Sequence, residues 1–352
     1  MTSSTIDPEV RTAFAEAEAA LDRGAPEAAL PHLSYLEGRV PEDPELALLK
    51  AGSHFLSDRP DEAIAVLEAA HARHPGDLGI WVALAGALVT EEGDRPRIEA
   101  GLELAARGLK RARKTKAAGP ELALLQILGT GHNTLGESRA ALAALDAALA
   151  LDPEHPDTRL ERALALFELC RFDEAASAME ALGRDLPDEP WVHHTLGLIA
   201  ERRGDHAAAR TAFDRAHQLD PDAFPRAIEL GEDAFDAAVQ DALDRLPDFA
   251  QEALENTPVA VEPLPSDEDL LSADPPLSPT ILGLFRGQAL PHRELMNPTD
   301  HFPATVLLYQ KNLERFARTR EELLEQIGIT VLHEVGHLLG LDEDDLAARG
   351  LE

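Results

Sequence analysis

The chain has 352 residues and a formal net charge of −33, because 32 Lys and Arg stand against 65 Asp and Glu. Its 44% hydrophobic content is enough for packed cores, so the length predicts two or three folded domains rather than disorder. The acidic excess argues against binding to nucleic acid or to an anionic membrane surface, since both are negatively charged.

The first residues contain neither a basic region nor an apolar stretch of the kind that directs secretion. No apolar run approaches the roughly 20 residues that a membrane span needs. The single cysteine, Cys170, cannot form an internal disulfide and excludes a cysteine-rich metal site. We therefore expect a cytoplasmic protein. Abundant Ala and scarce Lys favour a bacterial, GC-rich genome.

The first two thirds of the chain carry a repeat of 34 residues. Prolines recur at this spacing at Pro41 and Pro75, and again at Pro153, Pro187 and Pro221. Small residues precede them where two helices would approach closely, and larger apolar residues would fill the space between the helices. The small positions are Ala17, Ala51, Gly129, Ala163 and Gly197, and the matching positions of the following helix include Ala29, Ala63, Leu67, Ala141, Leu145, Ala175, Met179, Ala209 and Phe213.

This pattern resembles the tetratricopeptide (TPR) repeat, a helix–turn–helix unit of 34 residues. The resemblance covers residues 8–225 with about six repeats and is irregular around residues 91–120. It implies an α solenoid whose concave groove binds a protein or peptide partner. The basic run at residues 110–116 is interpreted as a solvated helix end, where cations complement the helix dipole.

The repeat pattern stops after Pro221, and residues 229–352 are predicted to form a second, α+β domain. The predicted elements are a helix over 227–246, a strand over 258–262, a Pro- and acid-rich loop over 264–280, strands over 281–285 and 305–309, and helices over 314–319 and 321–340.

The last predicted helix contains His333-Glu334-Val-Gly-His337, followed by Gly340. Residues four apart share a helix face, so both imidazoles can bind one divalent ion. A third ligand is expected just after Gly340. Glu343 lies ten residues after His333 and is the first choice, with Asp342 and Asp344 as alternatives. The upstream histidines His292 and His301 are less favoured, because they lie in Pro-rich segments.

Residues 229–352 resemble the minimal zincin family of small metallopeptidase-like domains. The matching stretches are residues 235–247, 282–285, 308–313 and 330–346. The resemblance implies one Zn²⁺ bound by His333 and His337, Glu334 as general base, and an acidic third ligand. That ligand is typically Asp in the family, whereas this chain has Glu343.

Two function hypotheses follow. The first is a zinc metallopeptidase that cleaves peptide bonds by metal-activated water, with Glu334 as base and the TPR array recruiting a polypeptide substrate. The strand over 305–309 is the predicted edge against which a substrate pairs, and Tyr309 is interpreted as a packing residue rather than an oxyanion donor. The alternative is a TPR adaptor with a structural or inactive metal site. The oligomeric state is not predicted.

Overall fold

The computed structural model describes residues 7–90, 94–287, 304–342 and 345–346. Helices fill the part of the chain that carries the 34-residue repeat. Within the described residues, the first strand begins only at Val259. The fold is an α solenoid followed by a small α+β domain, in agreement with the predicted fold class.

The helices of the repeat region are 11 to 21 residues long. They are α1 (Pro8–Asp22), α2 (Pro26–Glu37), α3 (Pro44–Phe55), α4 (Pro60–Arg73), α5 (Leu78–Leu88), α6 (Arg95–Thr115), α7 (Ala118–Thr134), α8 (Ser138–Leu149), α9 (Pro156–Glu168), α10 (Phe172–Asp185), α11 (Pro190–Arg202) and α12 (His206–Leu219).

Consecutive helices pack against each other, most extensively α11 with α12, α7 with α8 and α6 with α7. The five prolines spaced by 34 all lie in the turns that follow α2, α4, α8, α10 and α12. Proline suits these positions because it cannot continue a helix. The longest helix, α6, ends in the exposed basic run, where Lys116 caps it with a positive φ of 56°. The interpretation of this run as a solvated helix end is therefore confirmed.

The described chain separates into two compact units, one up to Ala165 and the other from Leu166 onward. The first unit contains the packed cores of the earlier repeats. The second contains the last repeat helices together with the strands and helices that follow them. The boundary between residues 225 and 229 follows a change in sequence pattern and stays a prediction.

After the repeats, five predicted elements have observed counterparts: the helices over 227–246 and 321–340 and the strands over 258–262, 281–285 and 305–309. The segment predicted as a loop over 264–280 contains one short helix, Asp267–Leu270. The elements are α13 (Glu232–Asp244), α14 (Asp248–Leu254), β1 (Val259–Glu262), α15 (Asp267–Leu270), β2 (Gly283–Arg286), β3 (Thr305–Tyr309), α16 (Gln310–Phe316) and α17 (Arg320–Leu338). The helix predicted over 314–319 is misplaced, because α16 begins at Gln310 and Thr319 instead caps the start of α17.

The three strands form one sheet in the order β1–β3–β2. β3 pairs in parallel with β1 and antiparallel with β2. The prediction that residues 305–309 form the edge strand is therefore wrong. β3 is central, and Val306, Leu307, Leu308 and Tyr309 are all buried. A continuous apolar run is typical of a strand that is covered on both faces.

The core of this region lies between α17, α13 and the sheet. Its buried members include Phe235, Leu308, Ile327, Val331 and Val335. Within the described residues, no helix is long and apolar enough to cross a membrane.

Candidate functional site

Helix α17 carries the two histidines and the glutamate that the sequence singled out. Thr319 caps its start by accepting a hydrogen bond from the backbone N–H of Glu322 at 3.2 Å. Its apolar face is buried through Leu323, Ile327 and Val331. The helix is thereby fixed at its start and along its length, and this places His333 to His337 in a defined orientation.

His333 and His337 converge as the four-residue spacing predicts. Their Nε2 atoms lie 3.2 Å apart, and the ring planes are nearly perpendicular at 85°. Two nitrogens bound to one tetrahedral zinc at about 2.0–2.1 Å would be separated by about 3.3 Å. The separation of the two Nε2 atoms therefore matches the one that a shared metal ion requires.

The second nitrogen of His337 is held by the backbone. Its Nδ1 lies 3.2 Å from the carbonyl oxygen of Leu341, which can only accept a hydrogen bond. Nδ1 must therefore carry the proton in this contact, and Nε2 of the neutral ring keeps its lone pair. Metal-binding histidines generally have such an outer hydrogen bond, because it fixes both the tautomer and the ring orientation.

Glu334 is only 5% exposed, and its carboxylate reaches the sheet. Its Oε2 accepts a hydrogen bond from the backbone N–H of Phe285 at 2.5 Å. In the antiparallel pairing, Tyr309 N–H donates to the oxygen of Leu282, so the backbone groups of Gly283 and Phe285 point away from β3. Among the described residues β2 is the last strand on this side of the sheet, so Glu334 lies along its outer edge.

The helix can approach β2 this closely because residue 283 is glycine. A Cβ atom at Gly283 would lie 2.5 Å from Cγ2 of Thr330, 3.0 Å from the oxygen of Leu307 and 3.4 Å from Cγ of Glu334. Real Cβ atoms do not approach other heavy atoms within 3.0 Å. Gly283 thus sets the spacing between α17 and β2.

The chain reverses direction after α17 through Gly340, whose φ is +86°. Its N–H donates to the oxygen of His337, and the N–H of Leu341 donates to the oxygen of Gly336. This pair of bonds is the Schellman C-cap, which places glycine at the left-handed position. Leu346, fully buried, then packs against Gly336. Together these contacts bring the segment after Gly340 back over the helix.

The candidate third ligands lie in this returning segment. Asp342 is exposed, and its Oδ1 accepts a hydrogen bond from the backbone N–H of Asp345 at 2.9 Å. Glu343 and Asp344 lie outside the described residues, as do His292 and His301. Among the residues that are described, no group of three or more His, Cys, Asp or Glu converges on one point. The identity of the third ligand stays a prediction.

Comparison with protein families supports both predicted resemblances, to the TPR repeat and to the zincin family. Residues 254–351 match the family described as zincin-like metallopeptidase, and this stretch includes the whole His333–Glu343 segment. Residues 44–87, 135–199 and 190–223 match three tetratricopeptide repeat families. The chain joins TPR repeats to a zincin-like domain. No curated protein matches it.

Solved structures resemble part of the chain. PilF of Pseudomonas aeruginosa matches with 16% identity and a TM-score of 0.52, over 65% of this chain and 97% of that one. MamA MSR-1 is 24% identical, with a TM-score of 0.40 over 51% of this chain and 98% of its own. YrrB, described as a TPR protein with an unusual peptide-binding site, is 17% identical, with a TM-score of 0.41 over 54% and 93%. The PilF match shows a shared fold alone.

Tyr309 packs in the interior of the zincin-like domain, which agrees with its interpretation as a packing residue. It is fully buried, and its hydroxyl donates to Oδ2 of Asp269 at 3.3 Å. Burial and the nearby Asp269 carboxylate raise the pKa of Tyr309. The hydroxyl is therefore kept neutral and used for structure.

Asp269 is a structural residue that the sequence did not reveal. Burial by itself raises the pKa of this carboxyl, but hydrogen bonds from Arg286 and Ser266 outweigh that effect and lower it. Arg286 ends β2, so its ion pair with Asp269 ties the edge strand to the short helix α15. The two residues are 17 positions apart in the sequence and no motif links them, so their ion pair could not be predicted from the sequence.

Cys170 is not a nucleophile in this structure. Burial raises the pKa of its thiol to about 11, so the thiolate is not formed near neutral pH. Its Sγ lies 3.7 Å from the carbonyl oxygen of Leu277. It is half-buried in the turn that follows α9.

Gly283→Ala is expected to destabilise the protein by about 1–3 kcal/mol, because an added methyl group overpacks the helix–strand contact. Denaturant unfolding measures this change. Gly328→Ala is the matched control. Gly328 lies on α17, the helix that packs against Gly283, but a Cβ atom at Gly328 meets nothing within 4 Å. That substitution should stabilise the helix by up to about 1 kcal/mol. Equal stability of the two variants would contradict the role assigned to Gly283.

Proposed function

We propose that the zincin-like domain is a zinc-dependent peptidase. The observation that carries this proposal is the 3.2 Å separation of the His333 and His337 Nε2 atoms, next to a glutamate anchored on an edge strand. Two imidazoles at this distance are arranged for a shared ion, and a neighbouring buried carboxylate suits proton transfer.

One Zn²⁺ would be held by His333, His337 and a carboxylate after Gly340, with Glu343 as the first choice and Asp342 and Asp344 as alternatives. A bound Zn²⁺ supplies Lewis acidity for a peptide carbonyl and lowers the pKa of water to about 7. Structural zinc sites generally have four protein ligands, often cysteines. The only cysteine of this chain is Cys170, on the repeat side, so an open catalytic site is favoured.

Glu334 would act as the general base and later return the proton to the leaving amine. The Phe285 N–H holds Oε2 and so restricts rotation of the carboxylate. Such restraint keeps the base in one orientation and reduces the entropy lost on reaching the reactive geometry.

The outer edge of β2 would bind the substrate backbone. The outward-pointing N–H and C=O of Gly283 and the C=O of Phe285 can pair with an extended peptide, while the Phe285 N–H stays on Glu334 beside this edge. β2 thus takes the role that the sequence assigned to residues 305–309.

The TPR repeats would recruit a protein substrate or partner in their groove. Residues 229–352 contain 26 acidic and 8 basic residues, so a neutral or cationic polypeptide would be steered toward the zincin-like domain. This steering weakens as salt screens the charges.

Metal removal tests the proposal. Purified protein should contain about one zinc per chain, and it should cleave denatured casein or peptides from a bacterial proteome. A chelator should abolish cleavage, and added Zn²⁺ should restore it. Zinc binding without cleavage of any substrate would contradict peptidase function and favour the alternative, a TPR adaptor with a structural or inactive metal site.

A further inference from the structure

A pocket of about 270 Å³ lies within the second compact unit, next to the start of β2. Its walls come from α11, the turn after α12, the segment before β2, and α16. The main lining residues are Trp191, His194, Phe224, Leu282, Arg315 and Phe316. Trp191 and Phe316 are 44% and 61% exposed, so the apolar rim is open to solvent.

Aromatic side chains are concentrated in this pocket, although they make up only 4% of the chain. Trp191 and Phe224 meet edge to face, with ring centroids 4.9 Å apart. His194 lies 4.9 Å from Phe224 and 5.5 Å from Phe213. Rings in this arrangement expose both edges and faces to the pocket. They can therefore bind another aromatic ring, because aromatic rings prefer edge-to-face and offset contacts.

The charges around the pocket favour an uncharged group. None of its described lining residues is Asp or Glu, although the chain as a whole is strongly acidic. Burial and the nearby Arg315 lower the pKa of His194 to about 4, so the imidazole is neutral. Arg315 is itself paired with Glu201 and stacks over Phe213 at 4.8 Å. Arg315 would repel a Lys or Arg side chain, and no described carboxylate lines the pocket to bind one.

The pocket borders Leu282, the residue that directly precedes β2. The buried amide of Asn312 donates to the oxygen of Ile281 at 2.7 Å and so fixes the segment that leads into β2. Leu282 lines the pocket, and Phe285, three residues later, donates to Glu334. At about 3.3 Å per residue, these two strand positions are about 10 Å apart. A peptide paired along β2 would therefore reach the pocket about three residues from the scissile bond.

We propose that this aromatic pocket is a substrate subsite that binds an aromatic side chain about three residues from the bond cleaved beside Glu334. The inference rests on the proposed peptidase function and adds a substrate class, namely extended peptides with Phe, Tyr or Trp at that distance. Trp191 and Phe316 would be specificity-determining residues and take no part in the chemical step.

Photo-cross-linking tests occupancy of the pocket without requiring cleavage. The full-length Glu334→Gln protein is irradiated with octapeptides that carry p-benzoylphenylalanine at position four and mixed residues elsewhere. Cross-links are expected on the pocket residues Trp191, Leu282 and Phe316. In the Phe316→Ala variant, the cross-linking yield at Trp191 and Leu282 should fall about tenfold. Phe249→Ala, at another half-exposed phenylalanine of the domain, should leave the yield unchanged. Cross-links spread evenly over the surface, or joining two copies of the chain, would overturn the proposal.

Cleavage profiling separates this inference from the peptidase proposal. Wild-type protein should cut proteome-derived peptides with aromatic residues enriched about three positions from the cleavage site. Phe316→Ala should raise KM about tenfold for such peptides, leave kcat unchanged, and barely affect matched peptides with Ala at that position. Efficient cleavage without aromatic enrichment would overturn the subsite and leave the peptidase standing. Failure to cleave any peptide, together with pocket cross-links, would overturn both the peptidase and the subsite, and would leave the pocket as a peptide-binding site only.

Discussion

Replacing Glu334 with glutamine is expected to reduce peptide hydrolysis by about 10²–10⁴-fold, the usual contribution of a positioned general base. Glutamine has nearly the same shape, and its carboxamide oxygen can still accept the hydrogen bond from Phe285 N–H. The helix and both histidines should therefore keep their positions. What is lost is the ability of this side chain to accept a proton at neutral pH.

The measurement is kcat/KM on a quenched fluorescent peptide, together with zinc content and thermal unfolding of the same preparation. Zinc content and melting temperature should match the wild type. Glu321→Gln is the matched control, because Glu321 is exposed at the start of the same helix. Wild-type turnover by the Glu334 variant would exclude Glu334 as the base, and loss of zinc would indicate that this carboxylate serves the metal instead.

Local sequence patterns predicted much of the fold. The prolines spaced by 34 residues all lie in turns that follow helices, as befits a residue that cannot continue a helix. Gly197 lies directly opposite Phe213, as expected for a small residue facing a large one in a repeat. These features follow from contacts between residues close in sequence, which periodicity records. The convergence of His333 and His337 is of the same kind, since helix geometry alone brings residues four apart together.

Strand order could not be predicted in this way. Residues 305–309 were placed at the edge of the sheet, but β3 pairs with β1, more than 40 residues earlier, and with β2. Both pairings depend on long-range contacts, and the apolar sequence of β3 identifies a strand without identifying its neighbours. The helix after β3 was also predicted four residues too late. The polar residues Gln310, Lys311 and Asn312 gave no apolar periodicity, although Asn312 is buried and hydrogen-bonded.

The contacts of the Glu334 side chain could not be predicted from the sequence either. Its partner is the backbone N–H of Phe285, and a backbone group leaves no signature in residue identity. Gly283 determines how closely the helix approaches the strand, but one glycine before a strand has many ordinary explanations. The ion pair of Asp269 and Arg286 likewise forms only in the folded chain. The sequence motif therefore identified the candidate site residues, whereas only the tertiary structure showed which contacts hold them in place.

The last prediction concerns the third zinc ligand, and Glu343→Ala is expected to weaken zinc binding by more than about 100-fold. Substitution of a residue that merely supports a ligand already costs about 10–100-fold, so loss of a ligand should cost more. Asp342 is the weaker candidate, because its carboxylate accepts the N–H of Asp345 and its carbonyl accepts the N–H of Leu346. Asp342→Ala should mainly remove this cap, at a cost of about 1 kcal/mol in stability.

Zinc affinity is measured by competition with a fluorescent chelator for the alanine variants at positions 342, 343 and 344. Asp345→Ala is the control, because Asp345 is exposed and is the next acid in the same segment. Leu346 stays buried against Gly336 in all four variants, so the segment itself should keep its path. A larger loss for Asp344→Ala than for Glu343→Ala would reassign the ligand by one residue. Wild-type affinity in all four would exclude a ligand after Gly340 and direct the search to His292 and His301.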